Sequence, residues 1–469
     1  MEGKEVVTGP GPHLIYRTIG GRLDMAFFPG PTPEEVVQQY LAYIGRPFLP
    51  AYWSLGYQLS RWGYPNLDAM KTVVARTQAA LIPLDVAYAD IDYMERYKDF
   101  TVGPNWDGFG AYVDDLHEMG LHLILIFDPA IEADYASFQR AREQNVSFIE
   151  WADKSQVPTT LQSRYPLVAD SLVSFKELIK SGVGITNQTI QIMLGNVWPD
   201  NNTAMPDFLD PTNKTLQWWI SEYQLLHKKV AFDGIWIDMN EPSNFDTDVY
   251  SGQPPSDSRR LSCPITGPGS QLDNPPYQTY AVYQRPPGEH LCSKTLCMLA
   301  KTGRRTMDFY NTKNLYGMSE AKATSQALSA TTGKRGAIIS SLLYAAAVDG
   351  HTVIRPLFFE YPTDFVAMEI DHQFLWGSAI MVAPALEQNV TSVHVYFPAD
   401  IWYSLIPDIY GQQMDIGYVD VMARLDTLTP VFARGGHVIP RQGAYLTTTQ
   451  SRLKPLELLV TAAKNSSSV

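Results

Sequence analysis

Three times along this chain a nearly unbroken apolar run stops at an acidic residue. Leu84-Asp-Val-Ala-Tyr-Ala-Asp-Ile-Asp ends at Asp90 and Asp92, Leu121-His-Leu-Ile-Leu-Ile-Phe-Asp at Asp128, and Phe232-Asp-Gly-Ile-Trp-Ile-Asp at Asp238. Runs apolar on both faces of the pleat mark parallel strands buried on both sides. Between the first two, Phe109 to Met119 carries amphipathic helix spacing, and the 38 residues from Asp90 to Asp128 are the size of one βα unit. The repeat therefore implies an α/β fold, either a β/α barrel or a doubly wound sheet. The 110 residues from Asp128 to Asp238 exceed one unit, which places an insertion at about 130–230. A second one, Asn244 to about Thr306, is rich in Pro, Gly, Ser and Tyr and reads as a long ordered loop.

The flanks have a different texture. Leu14 to Phe28 reads as two short strands around the Gly20-Gly21 turn. Thr32, Pro33 and Glu35 form the start of a helix, with a capping box and Pro at its first position. Val36, Val37, Tyr40, Leu41 and Ile44 make its apolar face, and Gly45 stops it. Ser319 to Ala330 is Ala-rich and helical, and Gly336-Ala-Ile-Ile-Ser is a short strand. Beyond about Val353, Phe374 to Pro384, Val393-His-Val-Tyr-Phe, Ile401-Trp-Tyr and Leu428-Thr-Pro-Val-Phe read as strands of a C-terminal β-sandwich. The last residues, from Lys464, read as frayed. The divisions expected are 1–31, 32–352 and 353–469.

Composition bounds the partners. Hydrophobic residues at 45% and charged residues at 18% describe a globular chain, and its 36 basic against 49 acidic residues give a net charge of −13. Without basic clusters, neither nucleic acid nor an anionic membrane is a partner. No apolar run approaches the ~20 residues of a membrane span. The Met1-Glu-Gly-Lys-Glu start lacks a signal peptide's apolar stretch. Six N-x-S/T sequons nonetheless occur, at Asn145, Asn187, Asn201, Asn213, Asn389 and Asn465, and lean toward a glycoprotein. The three cysteines, Cys263, Cys292 and Cys297, contain no C-x-x-C pair. One local disulfide with one thiol left over is the simplest account, and zinc or thioredoxin-type chemistry at these cysteines is not indicated.

The chemistry concentrates in Trp236-Ile-Asp-Met-Asn-Glu-Pro-Ser-Asn-Phe. An apolar strand delivers a carboxylate to its C-terminal end, where barrel enzymes build their sites. A retaining glycosidase needs one carboxylate as nucleophile and a second carboxyl ~5–5.5 Å away as acid and base. Tryptophans offer flat apolar faces to sugar C–H groups. For any single strand the ordinary alternative is an aspartate that caps the next helix. Three such ends, with Trp62, Trp198 and Trp236, favour the sugar site.

These residues resemble glycoside hydrolase family 31, in its branch of animal lysosomal and intestinal α-glucosidases. Supporting matches are Tyr16-Arg-Thr-Ile-Gly-Gly, Gly45-Arg-Pro-Phe-Leu-Pro-Ala-Tyr-Trp, Asp90-Ile-Asp-Tyr-Met, Asp128-Pro-Ala-Ile, Val197-Trp-Pro-Asp, Asn314-Leu-Tyr-Gly, Arg355-Pro-Leu and Arg434-Gly-Gly, spread from about residue 12 to 455. The resemblance implies Asp238 as nucleophile, with Asp90 bonded to a glucose hydroxyl and Asp128 supporting the same pocket. It further implies Trp236, Met239, Ile126 and Trp198 as pocket walls, Trp62 near the entrance, and a Cys263–Cys297 disulfide that leaves Cys292 over. Asp92 and Glu241 are read as braces of their own strand ends. No cofactor or metal is implied, and the substrate is an α-glucan such as maltose, malto-oligosaccharides or glycogen.

One departure matters. In the family, the strand beginning like Gly336-Ala-Ile-Ile-Ser leads on to a segment with the acid/base aspartate. Here it runs into Ser340-Ser-Leu-Leu-Tyr-Ala-Ala-Ala-Val-Asp-Gly-His-Thr-Val-Ile-Arg-Pro. At ~30 residues per βα unit, about a hundred residues and barrel strands six to eight are expected to be missing. An N-terminal sandwich, of which 1–31 is a remnant, and any targeting signal would be lost as well. The expectation is an incomplete (β/α)8 barrel, with impaired α-glucosidase activity and a secretory-pathway origin, lysosomal or brush-border. The competing readings are a sugar-binding pseudoenzyme, a non-functional isoform or gene-model fragment, and another family 31 specificity such as α-xylosidase or glucosidase II.

Overall fold

Five parallel strands pair strictly in chain order: β1 (Gln58–Leu59), β2 (Val86–Ala89), β3 (His122–Phe127), β4 (Gly234–Ile237) and β5 (Ala337–Ile338). A doubly wound sheet reverses its order at a switch point, whereas a sheet whose every strand is added on the same side is the wall of a β/α barrel. The choice left open by the sequence is thus decided. The structure, a computed structural model, describes residues 4–11, 13–18, 22, 24–133, 135–158, 164–165, 192–252, 260–276, 290–334, 337–338, 349–427 and 429–463. The junction at 340–348, Asn187 and Asn465 lie outside the described residues. The chain divides into two compact units, Met1–Leu23 with Gly56–Ile339, and Asp24–Leu55 with Ser340–Val469.

In the first unit, helices α1 (Leu67–Ala79), α2 (Phe109–Glu118), α3 (Lys214–His227) and α4 (Tyr316–Thr332) pack on the sheet. Asn66 caps α1 by accepting from the Ala69 amide at 2.9 Å. Phe109, Tyr112, Val113 and Leu116 bury one face of α2 at the 3.6-residue period. α3 buries Trp218, Trp219, Tyr223 and Leu226. The Trp219 indole N–H donates to Thr324 Oγ1 of α4 at 3.0 Å, which satisfies a buried donor as it joins two helices. Phe100, Phe127, Trp219 and Tyr223 meet in edge-to-face contacts with centroids 4.6–5.2 Å apart.

The insertions expected at about 130–230 and 244–306 share one core. Ile131–Glu132, Thr203–Ala204 and Leu194–Gly195 form a small antiparallel sheet. Around it Ile149, Trp151, Met193 and Met205 pack with Cys263, Leu296, Met298 and Leu299. Cys263 and Cys297 are joined in a disulfide, and Cys292 is buried beside them. The N-terminal hairpin differs from expectation. Lys4–Gly9 pairs with His13–Thr18, and residues 24–30 carry no strand pairing. Gly11 turns at φ +69°, so the glycine-proline run at 9–12 makes the turn.

The second unit begins with the helix Pro33–Ile44 and its capping box: Glu35 N–H donates to Thr32 Oγ1 at 3.2 Å and Thr32 N–H to Glu35 Oε2 at 3.0 Å. Its sheet runs β6 (Ile354–Arg355), β7 (Phe374–Trp376), β8 (Ile380–Val382), β12 (Val431–Arg434), β10 (Trp402–Ser404). A second pair, β9 (Ser392–Phe397) with β11 (Gly417–Met422), contributes Val395, Phe397 and Val421 to the core that Leu375, Met381 and Phe432 bring from the first sheet. Two layers over one core make the C-terminal sandwich. Arg355 and Arg434 both bind Glu360, at 2.6 and 2.9 Å, and Arg434 reaches Asp400 at 2.7 Å.

Candidate active site

The register of three adjacent strands sets the site. Ala89 pairs with Leu125, and Phe127 with Ile237, so Asp90, Asp128 and Asp238 follow the last residues of β2, β3 and β4 at the sheet's C-terminal edge. The Asp238 amide donates to Phe127 O at 3.3 Å, and its Oδ1 accepts from the Met239 amide at 2.9 Å. Met239 stands at φ +54°, a conformation costly for a bulky L-residue, and Ser243 N–H closes the turn on its carbonyl at 3.0 Å. The turn keeps Asp238 at the strand tip, only half-buried, rather than folding it into the wall.

The aromatic expectations fall into two groups. Trp62 and Trp198 lie 6.2 Å apart, and Trp198 meets Phe245 edge-on at 4.8 Å. Trp62 is 63% exposed, and Met239 joins Trp198 and Phe245 against the insertion core. Trp236 instead contacts Tyr88 at 6.2 Å and is the cross-strand partner of buried Ile126. Asp92 does more than brace its own strand end. Its Oδ2 accepts from the Gly63 amide at 2.8 Å and so fixes the loop bearing Trp62. Asp90 partly follows the ordinary alternative, since its Oδ1 accepts from Ile91 N–H at 2.8 Å and caps a short turn. Glu241 is exposed.

Residues 47–349 match the model of the glycosyl hydrolases family 31 TIM-barrel domain, and residues 350–439 match the family's C-terminal domain. The chain belongs to glycosyl hydrolase family 31. Among curated family 31 relatives, rat lysosomal α-glucosidase is 31% identical over 587 residues, covering 97% of this chain and 55% of its own length. Human intestinal sucrase-isomaltase is 29% identical, covering 98% of this chain and 30% of its own. The chain thus spans about half the length of the lysosomal enzymes it matches. The glucosidase II α subunit in its DNJ-bound form superposes with a TM-score of 0.66 at 17% identity, over 93% of this chain and 51% of that one. A family 31 α-xylosidase from Xanthomonas citri gives 0.52 at 14%, over 92% and 52%. These two carry the fold alone.

Crowding of carboxyls governs the electrostatics of this family 31 site. Asp128 is 3% exposed, and its pKa is pushed up to about 8 by burial first, then by the charges of Asp238, Asp90 and Glu241. Burial likewise raises Asp90, with Asp92 and Asp238 adding to the effect. Two members went unrecognised in the sequence. Asp99 is buried, and its Oδ1 accepts the Asp128 amide at 2.8 Å. Glu320 of α4 is fully buried and raised well above the carboxylate range, by burial and by Asp128, Asp238 and Glu241, while neighbouring Asn240 favours its charged form. Among the described residues no donor meets strict hydrogen-bond geometry at either Glu320 oxygen, and the Asn240 side chain makes only a looser approach. The signal for Glu320 is a lone acid on a helix face that it shares with Tyr316, Ser319, Ala323, Thr324, Ala327 and Leu328. Asp99 gave none.

Proposed function

We propose that this chain carries the nucleophile side of a retaining α-glucosidase site, for the non-reducing ends of α-glucans such as maltose, malto-oligosaccharides or glycogen. The carrying observation is the meeting of Asp90, Asp128 and Asp238 at the C-terminal ends of three successive barrel strands. Asp238 is the nucleophile. Its position at a half-buried strand tip gives it access to an anomeric carbon, while burial raises the more deeply buried Asp128 and Glu320 toward their neutral forms. Asp90 takes a glucose hydroxyl and Asp128 supports the same pocket; Ile126, Trp198, Trp236 and Met239 wall it, and Trp62 stands at its mouth. The α-glucosidase names of the curated relatives favour this specificity over that of an α-xylosidase.

In this reading the acid/base is missing. The rat alignment runs over 587 positions, and a chain of 469 residues leaves more than a hundred of them opposite gaps. That agrees with a segment lost after Ile339, at the junction outside the described residues. The expected start of the barrel at residue 32 gives way to about 47–56, since the helix Pro33–Ile44 falls in the second unit; 47–349 then form a shortened barrel with its two insertions, and 353–469 the sandwich. Loss of a general acid costs ~10²–10⁴-fold on substrates with a poor leaving group. A secretory-pathway origin accords with the lysosomal and intestinal relatives and with sequons at Asn201, Asn213 and Asn389 on exposed residues, Asn145 being half-buried. Among the described residues no helix is long and apolar enough to cross a membrane.

Parallel assays with α-glucosyl fluoride and maltose test the reading. Fluoride leaves without a proton, so the glucosyl fluoride is hydrolysed and Asp238→Asn abolishes that turnover. Maltose turnover stays at least ~10²-fold below that of a complete enzyme. Full maltose turnover would overturn the impairment. Binding of glucose without any fluoride hydrolysis would replace the enzyme with a sugar-binding protein.

A further inference from the structure

At the opposite end of the barrel sheet, away from the sugar site, three donors converge. His117 lies in the last turn of α2, His122 is the first residue of β3, and Asp233 immediately precedes β4. His117 Nε2 lies 2.8 Å from Asp233 Oδ2, and His122 Nδ1 lies 3.3 Å from Asp233 Oδ1. One donor atom from each of the three residues can be chosen so that all three lie within 4.8 Å of one another. The Leu123 amide donates to Asp233 Oδ2 at 2.9 Å, which sets the carboxylate so that each oxygen faces a different imidazole.

Two imidazoles and one carboxylate form a common zinc donor set, with a fourth position left for water. Bonds of ~2.0–2.1 Å to a tetrahedral ion put neighbouring donors about 3.3 Å apart, near the two separations from the imidazoles to Asp233. The three side chains are between 18% and 35% exposed, so an ion can enter and keep a water. Although burial opposes it, hydrogen bonds from His117, His122 and Leu123 hold Asp233 below the usual carboxylate range, as an anion. Two further charges reach His117: Asp114 favours a cation there and Lys334 works against one. We propose that His117, His122 and Asp233 bind a divalent first-row transition ion, zinc being the best match, as a clamp joining α2, β3 and β4. Nitrogen-rich donors exclude magnesium and calcium, which take oxygen ligands.

Zinc chloride titrated into the chelator-treated full-length protein, followed by calorimetry and by thermal melting, tests the site. One ion binds per chain and raises the melting temperature, and magnesium does neither. His117→Ala and His122→Ala each weaken zinc binding by at least ~10²-fold, the upper end of what even an outer partner contributes, while melting without zinc changes little for the more exposed His117. Zinc affinity unchanged by both histidine substitutions, or a cooperatively melting wild type that takes up no zinc, would overturn the proposal. Neither outcome touches the glycosidase assays, because the site lies at the other end of the strands.

Discussion

The backbone amide of Asp128 donates to Oδ1 of Asp99 at 2.8 Å, so one buried carboxyl holds the backbone that carries another. Both lie in a pocket of acids whose burial favours their neutral forms, Asp99 being raised by burial first and then by Asp128. Such a cluster is a poor device for stability, and local rules broken in this way are expected at functional sites.

Stability should depend on pH through Asp128. In the folded chain this residue keeps its proton up to about pH 8, against an ordinary value of 3.8. The folded state therefore binds more protons than the unfolded state between those values, and stability falls as pH rises through that window. Thermal melts from pH ~5 to ~8 will show wild type losing ground to Asp128→Asn, by up to ~1.4 kcal/mol for each pH unit crossed. A difference that stays flat across the window would contradict the assignment.

Gly317 on α4 lies against the Asp238–Glu241 turn. A Cβ there would sit 3.2 Å from Asn240 O and 3.3 Å from Asn240 Cγ, tight enough to displace the Asp238–Glu241 turn by a few tenths of an ångström. Gly317 is the second residue of α4, where alanine gains over glycine at most the ~0.5–1 kcal/mol of a helix interior. Gly317→Ala should thus melt close to wild type while fluoride hydrolysis falls several-fold. Unchanged hydrolysis would mean that α4 does not position the turn.

Arg140 and Glu222 form a two-pronged ion pair. Arg140 Nε lies 2.7 Å from Glu222 Oε1 and Nη2 2.5 Å from Oε2, and Glu222 has no exposed side-chain surface. Removing the arginine leaves a buried anion, which costs ~3–5 kcal/mol, whereas replacing both groups by apolar ones is near neutral. Denaturant unfolding should therefore rank Arg140→Ala well below the double variant Arg140→Leu/Glu222→Leu. Equal losses in the two would contradict it.

The sequence disclosed most of what depends on short-range pattern. Apolar runs ending at Asp90, Asp128 and Asp238 marked the strands, and the capping box at Thr32 and Glu35 marked a helix start. What it hid depends on contacts distant in the chain. Asp99 owes its place to the Asp128 backbone, 29 residues on, and Glu320 to the neighbouring strand ends. Likewise β11 escaped notice because Asp420 and the exposed Tyr418 interrupt its apolar pattern, and only pairing with β9 makes it a strand. The N-terminal hairpin was placed around Gly20-Gly21 because two glycines outweighed the Gly9–Pro12 run in a local reading.

The most direct measurement is to trap the covalent intermediate. A 5-fluoro-α-glucosyl fluoride forms its ester without a general acid and releases it slowly, so peptide mass spectrometry can locate the bond. One adduct per chain is expected, on the Asp238 side chain, and it should be lost in Asp238→Asn. An adduct on Asp90, Asp128 or any other carboxylate, or a folded chain that takes up no label, would contradict the assignment of the nucleophile.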